Sequence, residues 1–142
     1  MSAPYEAGGS PSGAPGGKTS LGLESNLGAM LCYVANFLCC LGVILSVVFL
    51  VTEKENRFVK FHALQSLFLW GVCVILLLAV QIISMILDVV SPFISFFVYF
   101  GLLFILLLIF VILWILAGIK AYGGQWYKLP GVGDIAWGIV NK

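Results

Sequence analysis

Three stretches of this 142-residue chain carry no charged side chain: Leu27–Val51, Ala63–Leu87 and Phe93–Ile119. A helix rises about 1.5 Å per residue, so roughly 20 residues cross a hydrocarbon core of about 30 Å. Each stretch exceeds that length. The chain is 62% hydrophobic and 9% charged, a balance that would leave a soluble domain of this size with large bare apolar patches. The expected fold class is therefore an all-α membrane protein of three transmembrane helices. The first stretch is too long for the apolar part of a signal peptide, and it lacks a basic flank and a small-residue cleavage pattern, so it reads as a retained span.

Charge placement sets the expected topology. With three spans, the loop after the first shares a side with the carboxyl tail. Those two segments hold Lys54, Arg57, Lys60, Lys120, Lys128 and Lys142, whereas the amino tail and the second loop hold Lys18 alone. Lys and Arg in short flanks mark the cytoplasmic side. This places the amino terminus outside and the carboxyl terminus in the cytoplasm, in a bacterial plasma membrane. Asp88, Ser91 and Pro92 break the last two stretches with an outer turn of about five residues, and Pro92 disfavours helix at Ser91.

Residues 1–20 are rich in Gly, Ser, Pro and Ala and are expected to be a disordered lead to a membrane domain over 21–142. Ser25 or Asn26 suits the first helix cap. Within the spans, Asn36 is expected to face another helix, and Gln81 to bond across to Asn36 or to a neighbouring subunit. The span interiors hold no Asp, Glu, Lys, Arg or His, which argues against a proton pump or ion-coupled carrier. Cys32, Cys39, Cys40 and Cys73 all fall in apolar stretches without C-x-x-C spacing and read as small apolar residues. Phosphate-binding glycine loops, nucleophile elbows and basic nucleic-acid patches are missing from the sequence. No cofactor, metal or nucleic-acid partner is expected, and no enzyme. After the third stretch, Trp126, Tyr127 and Lys128 suit the headgroup region, and Asp134 is expected to cap a short interfacial segment, Ile135–Val140.

The informative run is Glu53–Ser66. As a helix it puts Phe58, His62, Gln65 and Leu69 on one face, with Asn56 and Lys60 opposite. Its bland reading is a helix entering the bilayer: Arg57 and Lys60 reach lipid phosphate, Phe58 and Phe61 anchor among headgroups, and His62 bonds to Gln65 or to another helix. The sharper reading makes Arg57, Lys60, His62 and Gln65 a contact site for lipid headgroups or a partner protein. A single His without a carboxylate or thiolate cluster does not make a catalytic or metal site.

Glu55-Asn56-Arg57-Phe58-Val59-Lys60-Phe61-His62-Ala63-Leu64-Gln65-Ser66, with Tyr33 upstream and Tyr127-Lys128-Leu129-Pro130 and Gly133-Asp134 downstream, resembles a family of small bacterial and archaeal membrane proteins of unknown function. That family is related to the MamF-type magnetosome membrane proteins. It is similar, more distantly, to the small inner-envelope channel subunit of the chloroplast import translocon. The resemblance spans roughly 21–142. It implies three spans and self-association from the magnetosome side, where relatives influence crystal growth; the outer loop here offers one acid, Asp88. From the chloroplast side it implies a pore. The expected function is a non-enzymatic oligomeric scaffold or accessory subunit. The alternative is a pore or transport subunit formed by oligomerisation, lined by Asn36, Gln81 and Tyr99.

Overall fold

A computed structural model describes residues 16–38 and 40–142. Most of the expected disordered lead, and Cys39, lie outside the described residues. The described residues are all-helical, with a lone bridge between Lys18 and Glu24 in place of any strand. The helices are α1 (Ser25–Val34), α2 (Cys40–Thr52), α3 (Arg57–Val90), α4 (Pro92–Tyr122) and α5 (Val132–Val140), with a 3₁₀ turn over Ala35–Leu38. Two of them, α3 and α4, are long and apolar enough to cross a membrane. The chain forms two compact units: residues up to Trp70 together with Trp114–Lys142, and Gly71–Leu113.

In the first unit, the expectation of one spanning helix over Leu27–Val51 is corrected. That stretch is a helical hairpin. A Cβ built on Gly28 would lie 3.4 Å from the Phe49 ring, whereas a straight helix would hold positions 28 and 49 roughly 30 Å apart. The ends of the stretch meet: Ser20 donates from its backbone N–H and its hydroxyl to Glu53 Oε1 at 2.6 and 2.8 Å, and Asn56 Nδ2 donates to Ser25 Oγ at 2.6 Å. The amino-terminal flank and the loop after α2 therefore lie side by side, which three alternating spans forbid. Gly42 makes the reversal possible, because a Cβ there would collide with the side chain and backbone of Asn36.

Asn56 also starts α3. Its Oδ1 accepts the Val59 N–H at 3.2 Å, the bond by which an N-cap satisfies an orphan donor of the first turn. At the other end of this unit α4 stops in a Schellman turn. Gly124 N–H reaches Ala121 O and Gln125 N–H reaches Lys120 O, both at 3.0 Å, and Gly124 holds φ 72°, a left-handed conformation that glycine adopts without penalty. The chain then returns across the first turns of α3 and enters α5. That helix begins at Val132, earlier than expected, after Gly131 at φ 78°. Asp134 is not its cap; it is an exposed residue of the first turn, 3.4 Å from Lys128 Nζ.

The second unit is simpler. Its parts of α3 and α4 are joined at Ser91 alone, since Val89 and Val90 are helical and Pro92 opens α4, where a missing N–H costs nothing. The expected five-residue turn is thus a single residue. Ser95 Oγ donates to Ser84 O at 2.9 Å and the two hydroxyls meet at 2.8 Å. Around this buried pair the surface is Ile, Leu, Val and Phe, with Phe93, Phe104, Ile75 and Ile86 each more than 60% exposed.

Candidate functional site

The face of α3 expected from periodicity exists, and it points inward. Phe58, His62 and Gln65 are fully buried and Leu69 nearly so. Three separate segments supply its partners. Tyr33 comes from α1, one turn before the hairpin tip, and the carbonyls of Gln125 and Tyr127 come from the return after the Schellman turn.

Every proton in this cluster can be assigned. His62 Nε2 lies 3.1 Å from Gln125 O; a carbonyl only accepts, so Nε2 carries the hydrogen. In the neutral ring Nδ1 is then an acceptor, and it takes the Tyr33 hydroxyl at 3.0 Å. The Tyr33 oxygen in turn accepts from Gln65 Nε2 at 2.8 Å. The second amide hydrogen of Gln65 goes to Tyr127 O at 3.1 Å, and Oε1 accepts Leu129 N–H at 3.0 Å. Six polar groups from α1, α3 and the return segment close one satisfied network, the arrangement that fixes a unique packing in a low-dielectric interior. A proton added at Nδ1 would leave the Tyr33 hydroxyl hydrogen without its acceptor. The cluster has no spare base and no open coordination position.

Aromatic rings seal it. His62 packs edge-on against Phe58 and Phe61, with centroids 4.7 and 4.9 Å away. Trp126 sits 5.2 Å from Phe58 and 5.2 Å from Trp137. Phe58 and Phe61 are therefore core residues, not headgroup anchors. Gly133 sits so close that a Cβ would come within 2.7 Å of Gln65 Oε1, and α5 lies directly on the network for that reason.

The six residues singled out from sequence separate. His62 and Gln65 are fully buried, with their polar atoms bonded inside the chain. Arg57 is exposed and Lys60 half-buried, on the outer surface. Asn36 faces another helix as expected, donating to Ser66 Oγ at 2.8 Å, while Ser66 donates to Cys32 O at 2.6 Å. The Gln81 side chain is exposed on α3 of the second unit. Tyr33 belongs at the centre of the site but the periodicity of α3 cannot reveal a partner 29 residues away. Helical period places Asn56 opposite His62 and gives Glu53 no contact, yet both are buried at the hairpin base. Among the described residues no three His, Cys, Asp or Glu side chains gather as a metal site would require.

The family described as magnetosome magnetite crystal formation proteins matches residues 24–136, from the start of α1 into α5. A UPF0132 membrane protein of Methanocaldococcus jannaschii is 42% identical over 120 residues, covering 84% of this chain and 92% of the relative. Another, from Archaeoglobus fulgidus, is 36% identical over 114 residues, covering 80% and 93%. No solved structure matches the chain.

Proposed function

The chain belongs to the magnetosome magnetite crystal formation protein family, alongside relatives that are membrane proteins, and from that membership we propose a non-enzymatic integral scaffold that assembles with further copies of itself. The two units divide the work. The second unit crosses the bilayer through its pair of apolar helices. The first holds a hairpin that enters the lipid and leaves again on the side it came from. Its tip residues support this: Phe37, Leu38 and Leu41 are apolar and between 46 and 65% exposed. Phe37 meets Trp114 and Asn36 meets Ser66, which is roughly 15 Å along α3 from Asn56, about half a bilayer.

In this topology all seven Lys and Arg residues belong to the first unit and share one membrane side, and the second unit offers only Asp88. A seven-to-none split obeys the positive-inside bias more fully than three spans do. Both termini are then cytoplasmic.

The observation that carries the scaffold reading is where polar capacity remains unspent. The chemistry-bearing side chains of the first unit, Tyr33, His62 and Gln65, are consumed internally. By contrast Gln81 presents a primary amide on an apolar helix surface, beside a groove of about 530 Å³ lined by Ile82, Met85, Ile86, Val89 and Val90. An amide in hydrocarbon gains by meeting another amide across helices, worth about 1 kcal/mol per contact. A second copy provides one. Cysteine crosslinking along α3 in native membranes tests this. The wild type is expected to give dimers through positions flanking Gln81, and Gln81→Leu to weaken them several-fold with helicity unchanged. Dimer yield identical in the Leu variant refutes assembly through this face.

A further inference from the structure

The exposed half of the Arg57–Gln65 segment lines a second feature of the first unit. Lys54, Arg57 and Lys60 line a cleft of about 310 Å³ together with Leu50, Leu64, Ile139 and Val140. We propose that this cleft holds one anionic phospholipid, its phosphate among the three cations and an acyl chain against the aliphatic wall.

The order of the lining residues carries the argument. Leu50 precedes Lys54 by one turn of α2 and its extension, on the side leading into the hairpin. Leu64 follows Lys60 by one turn of α3, in the direction of the apolar helix. The cations thus sit at the hairpin base and the aliphatic groups lie inward of them on both elements, which is the polarity gradient of a lipid standing in its leaflet. The contribution of α5 is aliphatic as well.

Charge and geometry agree with that occupant. Lys60 Nζ donates to Lys54 O at 3.3 Å, so its ammonium is held beside Lys54, another lining residue, with donors to spare. The Arg57 guanidinium is exposed and offers the planar fork suited to phosphate oxygens. Neither neighbouring acid, Glu53 or Glu55, is among the residues lining the cleft. Glu53 is buried and accepts from Ser20. Three cations without a facing carboxylate cost one another repulsion, which a bound anion relieves. A free inorganic phosphate would satisfy the cations but leave the aliphatic wall bare, so the lipid accounts for both halves. This inference uses the membrane placement proposed above but not the assembly through Gln81.

The test is native mass spectrometry of the detergent-solubilised full chain, titrated with phosphatidylglycerol and with phosphatidylcholine of the same acyl chains. One phosphatidylglycerol is expected to be retained about tenfold or more better than phosphatidylcholine, and Arg57→Gln with Lys60→Gln is expected to abolish that preference. Lys18→Gln with Lys120→Gln removes the same charge at two positions that do not line the cleft and is expected to leave it intact. Equal retention of the two lipids by the wild type, which needs no variant, overturns the site. So does equal loss in both charge-matched doubles, which would mark a diffuse field. Displacement of the lipid by millimolar inorganic phosphate assigns the cleft to free phosphate and overturns the lipid.

Discussion

Gln65→Leu is expected to destabilise the first unit by about 3 to 5 kcal/mol and to leave little folded protein in detergent. Leucine fills a similar volume, so the loss comes from three groups orphaned in the interior: Leu129 N–H, Tyr127 C=O and a lone pair of the Tyr33 hydroxyl. Each unmet buried polar group costs about 1–3 kcal/mol. Gln65 and the His62–Gln125 bond tie the return segment to α3, so both it and α5 should loosen together. Tyr33→Phe is the milder companion; it removes one hydroxyl and leaves His62 Nδ1 without its donor, at about 1–2 kcal/mol. Arg57→Gln, on the exposed side of the same helix turn, is expected to change stability by no more than about 0.5 kcal/mol. Thermal unfolding followed by the Trp126 and Trp137 environment separates the three. Similar midpoints for Gln65→Leu and Arg57→Gln would mean that the network does not hold the unit together.

Gly42→Ala should be the most damaging single methyl in the hairpin. The added Cβ meets the backbone N and Cα of Asn36 as well as its side chain, and backbone cannot swing aside as the end of a flexible side chain can. Overpacking of this kind costs typically about 1–3 kcal/mol, more when the backbone must shift. The movement would also carry Asn36 away from Ser66, breaking the hydrogen-bonded chain that runs on to Cys32 O. Gly71→Ala is the control, since a Cβ there meets nothing within 4 Å; alanine also suits a helix interior better than glycine by about 1 kcal/mol. Gly42→Ala is expected to lower the unfolding midpoint and Gly71→Ala to hold or raise it. Equal tolerance of both would argue against the tight reversal.

The sequence makes the local parts of this fold readable and conceals the non-local ones. Phe58, His62, Gln65 and Leu69 share a face because helical period alone dictates it, and all four are buried. Asn36 meets a helix because an amide in an apolar stretch needs a partner. By contrast, the hairpin rests on Gly42, and a glycine in an uncharged run of 25 residues looks the same whether it packs a reversal or sits idle in a span. Hydropathy length cannot tell one long helix from two short antiparallel ones. The partners of His62 and Gln65 were invisible for a different reason: the carbonyls of Gln125 and Tyr127 are backbone groups that every residue has. Their role depends on where the Schellman turn at Gly124 aims the chain. The charge pattern was legible but its reading depended on the number of crossings, so Lys18 stood apart from the other cations until the hairpin brought it beside Asn56.

That reversal is the claim on which the rest depends, and impermeant maleimide labelling of intact cells tests it most directly. Single cysteines replace Leu21, Lys54, Asp88 and Lys142 in turn, in a background lacking the four native cysteines. All four positions are exposed. A hairpin that returns to its own side predicts that Asp88→Cys reacts from outside, while Leu21→Cys, Lys54→Cys and Lys142→Cys react only after permeabilisation. Labelling of Leu21→Cys from outside, with Lys54→Cys protected, would mean that Leu27–Val51 crosses the membrane and would contradict the account.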